Sequence, residues 1–87
     1  MAYLKKYKCP CCECFTYNTP PKKDCGYICP VCFWENDPFI TSNDEPSSSN
    51  HGITLNEAKA NYLKFGACEE EMLHYVRPPK SNENRPS

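Results

Sequence analysis

Apolar and polar positions divide the chain of 87 residues into four zones. In residues 1–35, short aromatic and β-branched runs flank two cysteine pairs. Tyr3 to Lys8 leads into the first pair, and Phe15 to Tyr17 leads out. Tyr27 and Ile28 enter the second pair, and Phe33 and Trp34 leave it. Thr19-Pro20-Pro21 and Gly26 supply turn chemistry between them. This pattern predicts short antiparallel strands, two for each cysteine knuckle. Residues 36–52 are polar, rich in Ser, Asn, Asp and Pro, and predict a loop.

The third zone, residues 53–76, changes to helical periodicity. Thr54 followed by Glu57 is a capping-box pattern, in which each side chain satisfies a free backbone N–H. Leu55, Ala58, Tyr62 and Phe65 recur at helical spacing as one apolar face. Gly66 is the expected stop, because it takes the left-handed conformation without steric cost. A second short helix is predicted from about Glu69 to Val76. Glu69, Glu70 and Glu71 would lie at its positive end. Met72, Leu73 and Val76 would face inward, and Pro78 would end it. Residues 77–87 lack apolar character and predict a frayed tail. The resulting fold class is α+β: a small β-hairpin head followed by one or two C-terminal α-helices. It forms a single domain over residues 1–79, with a disordered tail over 80–87.

Size changes the picture, because so short a domain buries only about 60–65% of its unfolded surface. Chains in this range commonly add a metal, disulfides or a partner. Eight cysteines in 87 residues point the same way. No stretch resembles a secretory leader, and no apolar run is long enough for a membrane span. The expected setting is therefore reducing and cytoplasmic, where paired cysteines more often hold metal than form disulfides. The formal net charge of −1 splits unevenly. Residues 1–34 carry five Lys against Glu13 and Asp24, or +3, and residues 35–87 carry five Lys and Arg against nine acids, or −4. Four thiolates on one divalent ion would bring the first half near +1. A strong phosphate-binding surface is not expected.

Cys9-Pro10-Cys11-Cys12 and Cys29-Pro30-Val31-Cys32 share the form C-P-x-C. The sixteen residues between Cys12 and Cys29 lie within the range of four-cysteine zinc sites. Two intervening residues let a tight turn aim both sulfurs at one ion. The proline after each first cysteine lowers the entropy of the unfolded chain. The expected cofactor is one structural Zn²⁺ on Cys9, Cys12, Cys29 and Cys32. Iron fits the same all-thiolate tetrahedron. Cys11 and Cys14 also form a CxxC, so a shifted register is an alternative. A second four-sulfur site from Cys11, Cys14, Cys25 and Cys68 is another. More simply, Cys68 is a small buried hydrophobe at the helix end.

Taken together, Lys8-Cys-Pro-Cys-Cys12, Ile28-Cys-Pro-Val-Cys-Phe-Trp-Glu35, Leu55-Asn-Glu-Ala58, Phe65-Gly-Ala-Cys68 and Val76-Arg-Pro-Pro79 resemble the CPCC-type cysteine-rich family. The resemblance covers roughly residues 7–79. It implies a bacterial cytoplasmic protein with a zinc-ribbon-like head joined to a helical tail. It also implies that Cys11, Trp34 and Cys68 are motif positions. The family usually places Gly after the first knuckle, where this chain has Glu13. Gly suits that position because the backbone turns with φ > 0 beside the sulfur.

Three function classes compete. A closed zinc shell in a small protein with an acidic loop points to a non-catalytic module with a protein partner. An enzyme, perhaps a hydrolase, would need Cys11 or Cys68 as nucleophile with His74 nearby. A nucleic-acid-binding ribbon would rely on Lys5, Lys6, Lys8, Lys22 and Lys23, with Tyr3, Tyr7 and Tyr17 as stacking faces. Trp34 is expected as a core plug, with an exposed partner anchor as the alternative. Glu35, Asp37, Asp44 and Glu45 read as a solvated acidic loop. His51 and His74 stand apart from the cysteine pairs.

Overall fold

A computed structural model describes residues 7–83. Strands β1 (Tyr7–Lys8) and β2 (Phe15–Tyr17) pair antiparallel around the first knuckle, with a bulge between Tyr7 and Lys8. The expected second hairpin shrinks to one antiparallel bridge, Ile28 with Glu35. Glu35 finds its remaining partner elsewhere. Its N–H donates to Asn50 Oδ1 and its carbonyl accepts from Asn50 Nδ2, both at 2.8 Å. The Asn50 amide thus occupies the place of a neighbouring strand.

The polar segment 36–52 is a loop, but it is held from within. Asn36, Ser47 and Asn50 are buried. Asn36 Nδ2 donates to the carbonyls of Pro21 and Asp24, and Ser47 Oγ donates to Asp37 Oδ2. Buried polar groups are tolerated where they are hydrogen-bonded, and these are.

Helix α1 runs Leu55–Phe65. Both arms of its capping box form at 3.0 Å, Glu57 N–H to Thr54 Oγ1 and Thr54 N–H to Glu57 Oε1. Gly66 closes it at φ 93°, its N–H donating to the Tyr62 carbonyl. Leu55 and Ala58 face the core, with Tyr62 packed beside them. Replacing Thr54 by Ala should lower stability by about 1 kcal/mol. Urea unfolding measures this, and an unchanged midpoint would show that the cap contributes nothing.

The second predicted helix forms as a 3-10 segment, Glu70–Tyr75, and not as an α-helix. Glu69 provides no side-chain cap, and six residues give too few α-type hydrogen bonds to offset nucleation. A three-residue period aligns Glu69, Met72 and Tyr75. Tyr75 accordingly stacks on Phe33 at 5.3 Å, while Leu73, predicted inward, is 40% exposed. Within the segment expected to fray, residues 81–83 form a further 3-10 turn. Glu83 there is buried and holds Arg77 through both carboxylate oxygens. Residues 84–87 of the expected tail and Tyr3 to Lys6 lie outside the described residues.

Candidate metal centre

The two knuckles are built alike. In the first, Cys9 N–H donates to the Cys14 carbonyl and Glu13 N–H to the Cys9 carbonyl, both at 2.9 Å. In the second, Cys29 N–H donates to Trp34 at 3.0 Å and Phe33 N–H to Cys29 at 2.8 Å. Adding 20 to each number of the first set gives the second. The same offset carries the Lys8–Phe15 strand pair onto the Ile28–Glu35 bridge. The internal repeat thus extends beyond the C-P-x-C elements. It also accounts for Cys14, which holds the place that Trp34 holds in the second knuckle; both are buried.

Each knuckle turns back on itself at its fifth residue, in the left-handed region. Glu13 has φ 64° and Phe33 has φ 68°. Neither residue is glycine, so each turn carries strain of about 1–2 kcal/mol. The first knuckle adopts the turn expected of it despite Glu13.

These turns gather Cys9, Cys12, Cys29 and Cys32, all fully buried. Their sulfurs lie within 4.8 Å of one another, and no other group among the described residues is placed to hold a metal ion. The Sγ atoms of Cys9 and Cys32 are 3.6 Å apart, and those of Cys12 and Cys29 are 3.8 Å apart. A metal–sulfur bond of about 2.3 Å gives a regular tetrahedron an edge of about 3.8 Å. The donor set therefore fits one tetrahedral ion. All eight cysteines are free thiols. The register is that of Cys9 with Cys12, and Cys11 with Cys14 does not replace it.

Three of the four thiols respond to their neighbours. Hydrogen bonds from Cys12, Cys32 and Cys9, and from Thr16, hold the Cys29 thiol down. Its bond to Cys29 pushes Cys12 up, and burial pushes Cys32 up. A divalent cation held there would supply positive charge that favours the thiolate forms.

The remaining candidates separate clearly. Cys11, Cys14 and Cys68 are buried, and Cys25 is exposed. They form no second four-sulfur site. Burial, followed by the charges of Cys11 and Glu69, pushes the Cys68 thiol up to about 12. That is the opposite of the depression that activates a nucleophile. His74 is exposed. His51 meets Glu69 at 2.7 Å beside a small cleft that Cys68 also lines. Trp34 is 1% exposed and serves as the core plug, so it is not a surface anchor. Tyr17 is fully buried and is not a stacking face. The carboxylates of the loop are engaged by Ser47, Thr41 and Asn56.

His51 provides a pH test. Its hydrogen bond to Glu69, and then the Glu69 charge, raise it above the ordinary 6.5, with Glu71 adding to the effect. A raised histidine contributes stability fully below its unfolded value. That contribution is lost as pH rises through the folded value. An NMR titration should place His51 above 6.5. Glu69→Gln should return it to the ordinary value, and an unshifted titration in both proteins would refute the pairing.

No described helix is long and apolar enough to cross a membrane. The model of a protein family described as "Cysteine-rich CPCC" matches residues 7–83. Neither the curated proteins nor the solved structures contain a match.

Proposed function

The chain belongs to the cysteine-rich CPCC family, and on that premise we propose that it is a structural zinc protein whose surface binds another protein. The observation that carries the zinc reading is the four-sulfur cluster, with two of its edges at 3.6 and 3.8 Å. An all-thiolate tetrahedron suits zinc, and four protein ligands close the shell. The zinc would cross-link the two knuckles and hold all four sulfurs as thiolates. Hydrolysis through it would need an open coordination position, which four cysteines leave no room for. The site is therefore read as architectural. Native mass spectrometry should find one zinc per chain. Iron in its place, or no metal at all, would end the zinc reading.

The partner reading draws on exposed apolar side chains. Phe39 is 76% exposed, Leu63 70% and Tyr75 65%. Leu63 lies on α1 and Tyr75 on the 3-10 segment that follows it. Protein is favoured over nucleic acid as the partner by charge and by burial. Of the lysines in the alternative reading, Lys8, Lys22 and Lys23 are exposed, but Tyr17 is not available to stack on a base. Steep salt-dependent retention on single-stranded nucleic acid would reverse that choice. The cytoplasm remains the expected compartment, since seven buried free thiols persist best where thiols stay reduced.

A further inference from the structure

Strand β2 brings the Thr16 hydroxyl to the sulfur cluster and buries the Tyr17 side chain in the same core. Thr16 Oγ1 lies 3.2 Å from Cys29 Sγ, and Thr16 is fully buried. The next residue, Tyr17, is also fully buried, and its hydroxyl has no hydrogen-bond partner among the described atoms. Its side chain packs in the core cluster that contains the four sulfurs. A buried hydroxyl left without an acceptor costs about 1–3 kcal/mol. Such a group is retained where something accepts its proton.

The charge balance supplies the reason. Four thiolates around a divalent ion carry a net charge of −2, enclosed by the core. Every buried polar or charged side chain described is Thr16, Asn36, Ser47, Asn50 or Glu83, and none is cationic. A buried anion without a counter-charge needs neutral donors pointed at it. Hydroxyl groups beside the sulfurs are such donors.

We propose that Thr16 and Tyr17 are positioning residues for the metal centre, donating O–H···S hydrogen bonds to its thiolates, Thr16 to Cys29 and Tyr17 within the same cluster. This rests on the metal-centre reading above and adds to it a role for two residues that are not ligands. The donors withdraw electron density from the sulfurs and hold them in place for the ion. Partners of this outer shell typically change metal affinity about 10- to 100-fold.

Cobalt substitution tests it in the full-length protein. Co²⁺ bound by four thiolates gives an intense sulfur-to-metal charge-transfer band. Thr16→Val, which keeps the shape and loses the hydroxyl, should weaken Co²⁺ binding about 10-fold or more and move the band to lower energy. Thr16→Ser, which keeps the hydroxyl, should restore both. Tyr17→Phe should shift the band in the same direction. A Thr16→Val protein with wild-type affinity and an unmoved band overturns the proposal. If Thr16→Val does not fold, Tyr17→Phe decides by the same two readouts. If the unaltered protein gives no four-sulfur band at all, the metal-centre reading fails, and this inference fails with it.

Discussion

Cys29→Ser should yield a protein without bound metal, whose cysteine-rich head no longer folds. Cys29 is the most connected of the four sulfurs. It meets Cys12 at 3.8 Å and Thr16 at 3.2 Å, and it is the thiol most favoured to ionise. Serine supplies a harder oxygen that stays protonated near neutrality, so the site loses both charge and a ligand. Structural zinc contributes on the order of 10 kcal/mol or more in small modules. The whole folding free energy of a domain is about 5–15 kcal/mol, so no reserve would remain after that loss. Metal content by mass spectrometry and amide signals from residues 7–35 are the two measurements. Native zinc content with unchanged hairpin signals would refute the assignment.

Trp34→Ala should be the most damaging change that leaves every metal ligand in place. Trp34 is the largest fully buried side chain and packs with Tyr17, Val31, Leu55 and the cysteines in one cluster. It leaves the second knuckle just where the loop and α1 close over the head. Truncating a buried Trp removes its transfer free energy and leaves a cavity, about 3–5 kcal/mol in all. Urea unfolding of the metal-loaded protein measures this at constant metal occupancy. A loss below about 1 kcal/mol would show that the surroundings collapse into the space or that the indole is not the plug.

The four-cysteine cluster was legible because its signal is local. Each C-P-x-C turn forms within five residues, and two such turns define the four sulfurs whatever else the chain does. The caps of α1 were legible for the same reason: Thr54 and Glu57 are three residues apart, and Gly66 has little alternative use there. What was not legible acts over distance and has no period. Asn50 takes the place of a strand beside Glu35, and Asn36 holds carbonyls of Pro21 and Asp24. In the sequence these are merely polar residues in a polar segment. The 3-10 segment carries an α-helical pattern because the eight residues from Glu69 to Val76 scarcely separate a period of 3.0 from one of 3.6. Thr16 went unnoticed because a threonine in a strand is ordinary. Only the fold shows which sulfur it meets.

The distal half is laced onto the second knuckle by backbone. Cys68 N–H donates to the Cys32 carbonyl at 2.8 Å, and Arg77 N–H donates to the Pro30 carbonyl at 3.2 Å. Helix α1 itself meets the first knuckle, through Lys59 with Glu13 at 3.5 Å and Tyr62 with Cys14 at 4.0 Å. A chelator that opens the knuckle would therefore slacken the helix as well. The ellipticity of α1 thus serves as an internal gauge of metal loading, readable without any probe at the sulfurs.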